Sequence, residues 1–200
     1  MKLYMVGASP YARKVRAVAV ALGLAERLEL VIANPHERPE PLVALNSLSR
    51  VPTLLTDDGE TVIDSLNICE YLAALVPGQS VIDFRPGPSR RKMLHRHALA
   101  HGVMECGVIR RVESLKAVEP DRTEWMQRQK ATIARVLDVF EKDPALEGPM
   151  TLDRLTLACA LGFLDFRFPE EGWRIGRPRL AGWQARAETL PALAETRPFA

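Results

Sequence analysis

Ser9 and Pro10 stand directly behind a short apolar run, and Arg13, Lys14 and Arg16 follow them closely. A serine at the N-cap with proline at the first helical position is a helix-start signal. Such a start carries the positive end of the macrodipole and spare N–H groups, so it is a natural seat for an anion. Three cations just behind it run against that field. They are therefore either a solvated face or counter-charge for something anionic. A second such start is Asp64-Ser65, with Ser65 in the N-cap position ahead of LNICEYLAALV. His97 and His101 lie four apart, a spacing that sets two imidazoles on one helical face as metal ligands. No third ligand of suitable spacing accompanies them, so no metal is expected. Cys69, Cys106 and Cys159 are widely spaced, odd in number and form no CxxC pair, which argues against disulfides and zinc. Each has apolar helical neighbours and reads as a small buried hydrophobe.

The elements that must hold these residues fall into two halves. In the first, KLYMV reads as a strand, and SPYARKVRAVAVALGL as a helix with Val15, Val18, Ala19 and Leu22 at helical spacing. RLELVIA is a second strand, and HERPEPLVALNSL a proline-broken loop with a short helix. VPTLLT and ETVID are strands joined by Asp57-Asp58-Gly59, a hairpin signature. The order is βαβαββα. Its first unit demands a parallel pair with a right-handed crossover, and the hairpin adds an antiparallel one. Residues 77–88, PGQSVIDFRPGP, read as a linker. Beyond it the pattern is helical: about 89–116, then about 122–142 with Trp125, Ile133, Val136, Leu137 and Phe140 inward, then a third helix from Thr151. The expected domains are 1–76 and 89–200. A net charge of +2 among 200 residues gives no footprint for nucleic acid, and no apolar run is long enough for a membrane span. The absence of a signal-peptide pattern and the cysteine usage point to the cytoplasm.

Ser9 after the first strand, Arg50-Val51-Pro52-Thr53-Leu54 before the third, and Asp64-Ser65 at the third helix resemble, in order and spacing, the cytosolic glutathione S-transferases. The SPYARKV start is most similar to their serine-type bacterial members. The resemblance covers the N-terminal half motif by motif and the helical half by size. It implies a thioredoxin-like α/β domain followed by an all-α domain, with glutathione as co-substrate and no metal.

On that resemblance Ser9 donates to the thiolate of glutathione, or else only caps its helix. The two roles compete for the geometry of one hydroxyl. Tyr11 is placed to line the same mouth or to offer an alternative hydroxyl, and Arg13 to draw the thiolate or an anionic co-substrate. Lys14 and Arg16 read as solvated. Val51, ahead of a cis-type Pro52, would offer its backbone to the cysteinyl unit, as an added strand does. Ser65 and the start of its helix suit the γ-glutamyl carboxylate, Asp64 the ammonium, and Arg50 or His36 the glycyl carboxylate. His97, His101, Met104, Glu105 and Arg111 on the first helix of the second domain are nominated for an electrophile pocket.

Two departures from the family pattern stand out. The usual Asn-Pro-x-Gly-Lys-Val-Pro run appears as Asn46-Ser47-Leu48-Ser49-Arg50-Val51-Pro52, which predicts a less constrained loop. The capping box of the buried helix keeps Thr151 but has Arg154 at the reciprocal position. The implied function is glutathione conjugation to a small hydrophobic electrophile by a homodimer active in detoxification. The alternatives are a glutathione-dependent peroxidase or reductase, and a non-catalytic glutathione-binding regulator.

Overall fold

The structure is a computed structural model that describes residues 1–199. It divides into two compact units, residues 1–84 with 190–199 and residues 85–189. In the first, β1 (Lys2–Met5), α1 (Pro10–Ala21), β2 (Glu29–Ile32), α2 (Glu40–Leu45), β3 (Thr53–Leu55), β4 (Thr61–Ile63) and α3 (Ser65–Ala74) follow the expected βαβαββα order. The sheet order is β2-β1-β3-β4, with β1 parallel to β2 and antiparallel to β3. The hairpin of β3 and β4 closes over Gly59, whose φ of 88° suits glycine. Leu3, Met5 and Leu54 of the sheet are fully buried, as are Val15 and Val18 of α1 and Ile68 and Leu72 of α3. α1 and α3 pack against each other, and α2 packs on β3.

The second unit holds α4 (Pro88–Glu113), α5 (Pro120–Lys142), α6 (Leu152–Arg167) and α7 (Pro178–Ala187). α4 packs on both α5 and α6, and α6 is buried from Leu152 through Leu164, as the central helix of a bundle must be. Trp125 is 45% exposed rather than inward, because it lies on the outer face of the first turns of α5. The inward face of α5 is carried by Gln129, Ile133, Leu137 and Phe140.

The division departs from the expected boundaries at both edges. Residues 77–84 belong with the α/β unit instead of forming a free linker. The last stretch also returns to that unit: α8 (Pro191–Ala194) packs on α1, with Leu193 fully buried and Ala192 nearly so. The apolar PALA run is too short to fold alone and gains its burial only by docking.

Candidate functional site

Strand register brings the three motifs to one end of the sheet. Tyr4 pairs with Thr53, and Thr53 pairs with Ile63. The exit of β1, the entrance of β3 and the exit of β4 therefore lie side by side. Ser9 follows the first, Val51-Pro52 precedes the second, and Asp64-Ser65 follows the third. β2 runs parallel to β1, so the loop carrying His36 leaves at the same end, on the outer edge. Both α1 and α3 begin there, so two helix N-termini add their fields at that end.

Ser9 is the N-cap of α1, and its Oγ accepts the Ala12 N–H at 3.2 Å. Its backbone N–H closes the preceding turn onto Val6 O at 3.0 Å. Among the described residues no acceptor takes the Ser9 O–H proton. Capping and donation to an incoming anion are therefore compatible in this arrangement, since a hydroxyl accepts and donates at once. Tyr11, half-buried, lies one position beyond Pro10.

The Val51–Pro52 peptide bond is cis. Among the described residues, no hydrogen bond within the chain takes up the N–H or C=O of Val51. The loop ahead of it is pinned rather than loose. Buried Asn46 donates to Arg50 O at 3.2 Å and Thr53 Oγ1 at 2.9 Å, and its Oδ1 accepts from Leu48 N at 3.0 Å. Thr53 Oγ1 also donates to Arg50 O, at 2.8 Å. Ser49 takes a φ of 49° at the place where the family pattern has glycine, with its N–H on Asn46 O at 2.7 Å. Against the expectation of a less constrained approach, one buried amide ties both ends of the loop together, and Ser49 itself takes the positive φ. The signal was present, since asparagine is the residue type that bridges backbone groups two residues on. Arg50 is thereby held by its carbonyl while its guanidinium stays exposed. His36 is exposed, with its backbone N–H on Asn34 Oδ1 at 3.1 Å.

The N-cap of α3 is Asp64, not Ser65. Asp64 Oδ1 accepts from Leu66 N at 2.8 Å and Asn67 N at 3.3 Å, at a φ of 71°. A backbone in the left-handed region at a non-glycine residue costs on the order of 1–3 kcal/mol and tends to cluster at functional sites. Ser65 becomes the first helical residue, 3% exposed, with its backbone N–H among the free donors of the first turn.

Arg13 is 2% exposed and Lys14 fully buried, so neither is a solvated cation or a free lure for an anion. Arg13 Nη2 donates to Leu193 O at 3.1 Å, and half-buried Arg16 donates through Nη2 to Glu195 O at 3.3 Å. The basic start of α1 faces the returning segment of the chain. Lys14 is fully buried as well, which corrects its reading as solvated.

Of the residues nominated for the electrophile, His101, Met104 and Glu105 lie on α4 in the helical unit. Met104 is fully buried and has no surface to offer a ligand. His101 Nε2 lies 3.7 Å from Glu105 Oε1, and its ring centroid is 5.5 Å from that of His97. Among the described residues no group of three or more metal-ligating side chains occurs. Among the described residues no disulfide joins the three cysteines, all of them buried, and burial pushes the Cys106 thiol up, away from thiolate. No helix of the described residues is long and apolar enough to cross a membrane.

Comparison with known proteins agrees with this geometry. The sequence model for the glutathione S-transferase N-terminal domain matches residues 8–75, and that for the C-terminal domain matches residues 123–186. The chain is 29% identical, over 99% of its length and 98% of the relative's, to the uncharacterized GST-like protein YibF of Escherichia coli. It superposes with a TM-score of 0.92 on a glutathione transferase family member from Pseudomonas fluorescens Pf-5 with bound glutathione. The two are 33% identical, over 100% of this chain and 99% of that one. A glutathione S-transferase of Methylobacillus flagellatus with glutathione bound gives a TM-score of 0.89 at 28% identity, over 99% of both chains.

Proposed function

The chain belongs to the glutathione S-transferase family, and from that premise we propose that it binds glutathione and conjugates it, as thiolate, to a small hydrophobic electrophile. The observation that carries this reading is the hydroxyl of Ser9, which accepts the Ala12 N–H and keeps its own proton for an outside acceptor. Relatives with glutathione bound support the ligand.

The chemistry needed is modest. A free thiol has a pKa of about 8.5, so at neutral pH only a few per cent is the reactive thiolate. Lowering that pKa by about 2 units takes roughly 2.7 kcal/mol of selective stabilisation. A charge-assisted hydrogen bond from Ser9, together with the field of the α1 N-terminus, is of that size. The N–H and C=O of Val51 would pair with the cysteinyl unit as a strand edge does. The first turn of α3, with Ser65, would take the γ-glutamyl carboxylate. Asp64 spends Oδ1 on capping, which leaves Oδ2 for the ammonium. Arg50, held by its carbonyl with an exposed guanidinium, suits the glycyl carboxylate, with His36 as a second hydrogen-bond donor at that end. The proposal includes a cytoplasmic homodimer serving detoxification, checked in part by its mass in solution.

The deciding experiment is an ultraviolet difference titration with glutathione across pH, on the wild type and Ser9→Ala. A thiolate band below the free thiol's pKa is expected in the wild type. Ser9→Ala should lose it at retained affinity, raising the bound thiol's pKa by about 2 units. Binding without any thiolate band would turn the protein into a glutathione carrier or regulator. No binding would overturn the proposal altogether.

A further inference from the structure

The returning segment ends against the turn that presents Ser9. The Phe199 N–H donates to Gly7 O at 3.3 Å. Its ring lies so close to Gly7 that a Cβ there would sit 2.4 Å from ring carbons. The Arg16 guanidinium stands 5.8 Å from the ring centroid. Upstream, the carbonyls of Leu193 and Glu195 are held by Arg13 and Arg16, and Thr196, 1% exposed, donates through Oγ1 to Ala192 O at 2.7 Å. The segment is thus anchored along α1 before it reaches Gly7.

Gly7 occupies the middle of the turn that Ser9 N closes onto Val6 O. That backbone bond does not itself engage the Gly7–Ala8 peptide plane, whose orientation sets the backbone angles that lead into Ser9. The Phe199 N–H holds the carbonyl of that plane, and the ring covers its glycine. A catalytic hydroxyl needs its support fixed to within a fraction of an ångström. We propose that residues 190–199 act as a clamp on the β1–α1 turn, with Phe199 as a positioning residue for Ser9. This rests on the thiolate-donor reading of Ser9. It also gives a reason for the glycine: Gly7 has no positive φ to demand it, so the requirement is space for the ring.

The test uses the full chain with Phe199→Ala, Phe199→Tyr and Gly7→Ala, each followed by amide exchange and by the glutathione thiolate titration. Phe199→Ala should speed exchange at residues 8–12 about fivefold while leaving β3 and β4 unchanged. It should also raise the bound thiol's pKa by about one unit. Phe199→Tyr keeps the ring and should match the wild type. Gly7→Ala displaces the ring from the other side and should reproduce Phe199→Ala, the double variant being no worse than either. Phe199 is 45% exposed, so these variants should fold, and equal thermal midpoints would show it. A wild-type thiolate band whose pKa Phe199→Ala leaves unchanged overturns the positioning role alone, whether or not exchange rises. A wild type with no band overturns the reading of Ser9 and the positioning role with it.

Discussion

Two helices of this chain begin alike and end up doing different things. α1 opens with a hydroxyl residue at its N-cap, Ser9, and carries Arg13 in its early turns. α6 opens with Thr151 and carries Arg154. In both, a cation sits where the helix field disfavours it, and both arginines are buried. Both escape the penalty in one way, by donating to backbone carbonyls of another segment. The hydroxyls diverge. Thr151 makes no cap bond to its helix: its Oγ1 donates to Asp153 Oδ1 at 2.5 Å and accepts from Arg154 Nη1 at 2.7 Å. Thr151 thus keeps the N-cap position expected of it but spends its hydroxyl on side chains instead of a cap bond. Ser9 caps its helix and has its proton to spare. The same residue pattern yields a saturated structural corner in one place and a half-exposed donor in the other. What separates them is whether the arginine reaches back to the hydroxyl.

The largest effect expected from this contrast is on the α6 side. Arg154 donates to Ala145 O at 3.0 Å, Leu146 O at 3.3 Å and Pro149 O at 2.9 Å as well as to Thr151. Arg154→Met would leave those acceptors without their donor and should lower unfolding free energy by about 3 kcal/mol in a denaturant titration. Arg13→Met removes the donor to Leu193 O and should cost about 1.5 kcal/mol. The two should differ in kind as well as size. Limited proteolysis should open residues 190–199 in Arg13→Met and leave them protected in Arg154→Met. Equal losses, or protection of that segment in both, would break the distinction between a local corner and a long-range anchor. Next in size is Thr151→Ala, expected at about 1 kcal/mol of stability, with no change in the pKa of bound glutathione.

The pattern of what could be read in the sequence follows the same line. Ser9, Val51-Pro52 and Asp64-Ser65 were legible because helix starts and hairpins are local, and strand order then brings them together. The shift of the α3 cap from Ser65 to Asp64 was not, because both residue types cap and only the φ of 71° at Asp64 decides. Burial of Arg13 was hidden because what covers it arrives 180 residues later in the chain. The same distance hid the membership of residues 190–199 in the α/β unit, since four apolar residues in a row carry no address. Met104 was nominated by its place on α4, but which side of a long helix is buried depends on partners that periodicity alone does not rank. Asn46 was readable in principle, being the one residue of its loop with a side-chain amide that can donate twice and accept as well.

The smallest effect sharpens the comparison most. If the spare proton of Ser9 is what matters, a hydroxyl on a bulkier carbon should serve nearly as well. Ser9→Thr keeps the acceptor for Ala12 N–H and the proton for a thiolate, and threonine caps only slightly less well than serine. Stability should change by a few tenths of a kcal/mol, and the bound thiol's pKa by less than about 0.5 unit. The added methyl restricts χ1, however, as it does in Thr151. A shift in the Ser9→Thr thiol pKa as large as that of Ser9→Ala would therefore mean that the orientation of the hydroxyl, not its presence, sets the chemistry. Ser9 would then differ from Thr151 by the freedom of its rotor, because a β-branched residue at either helix start would point its proton back into the chain.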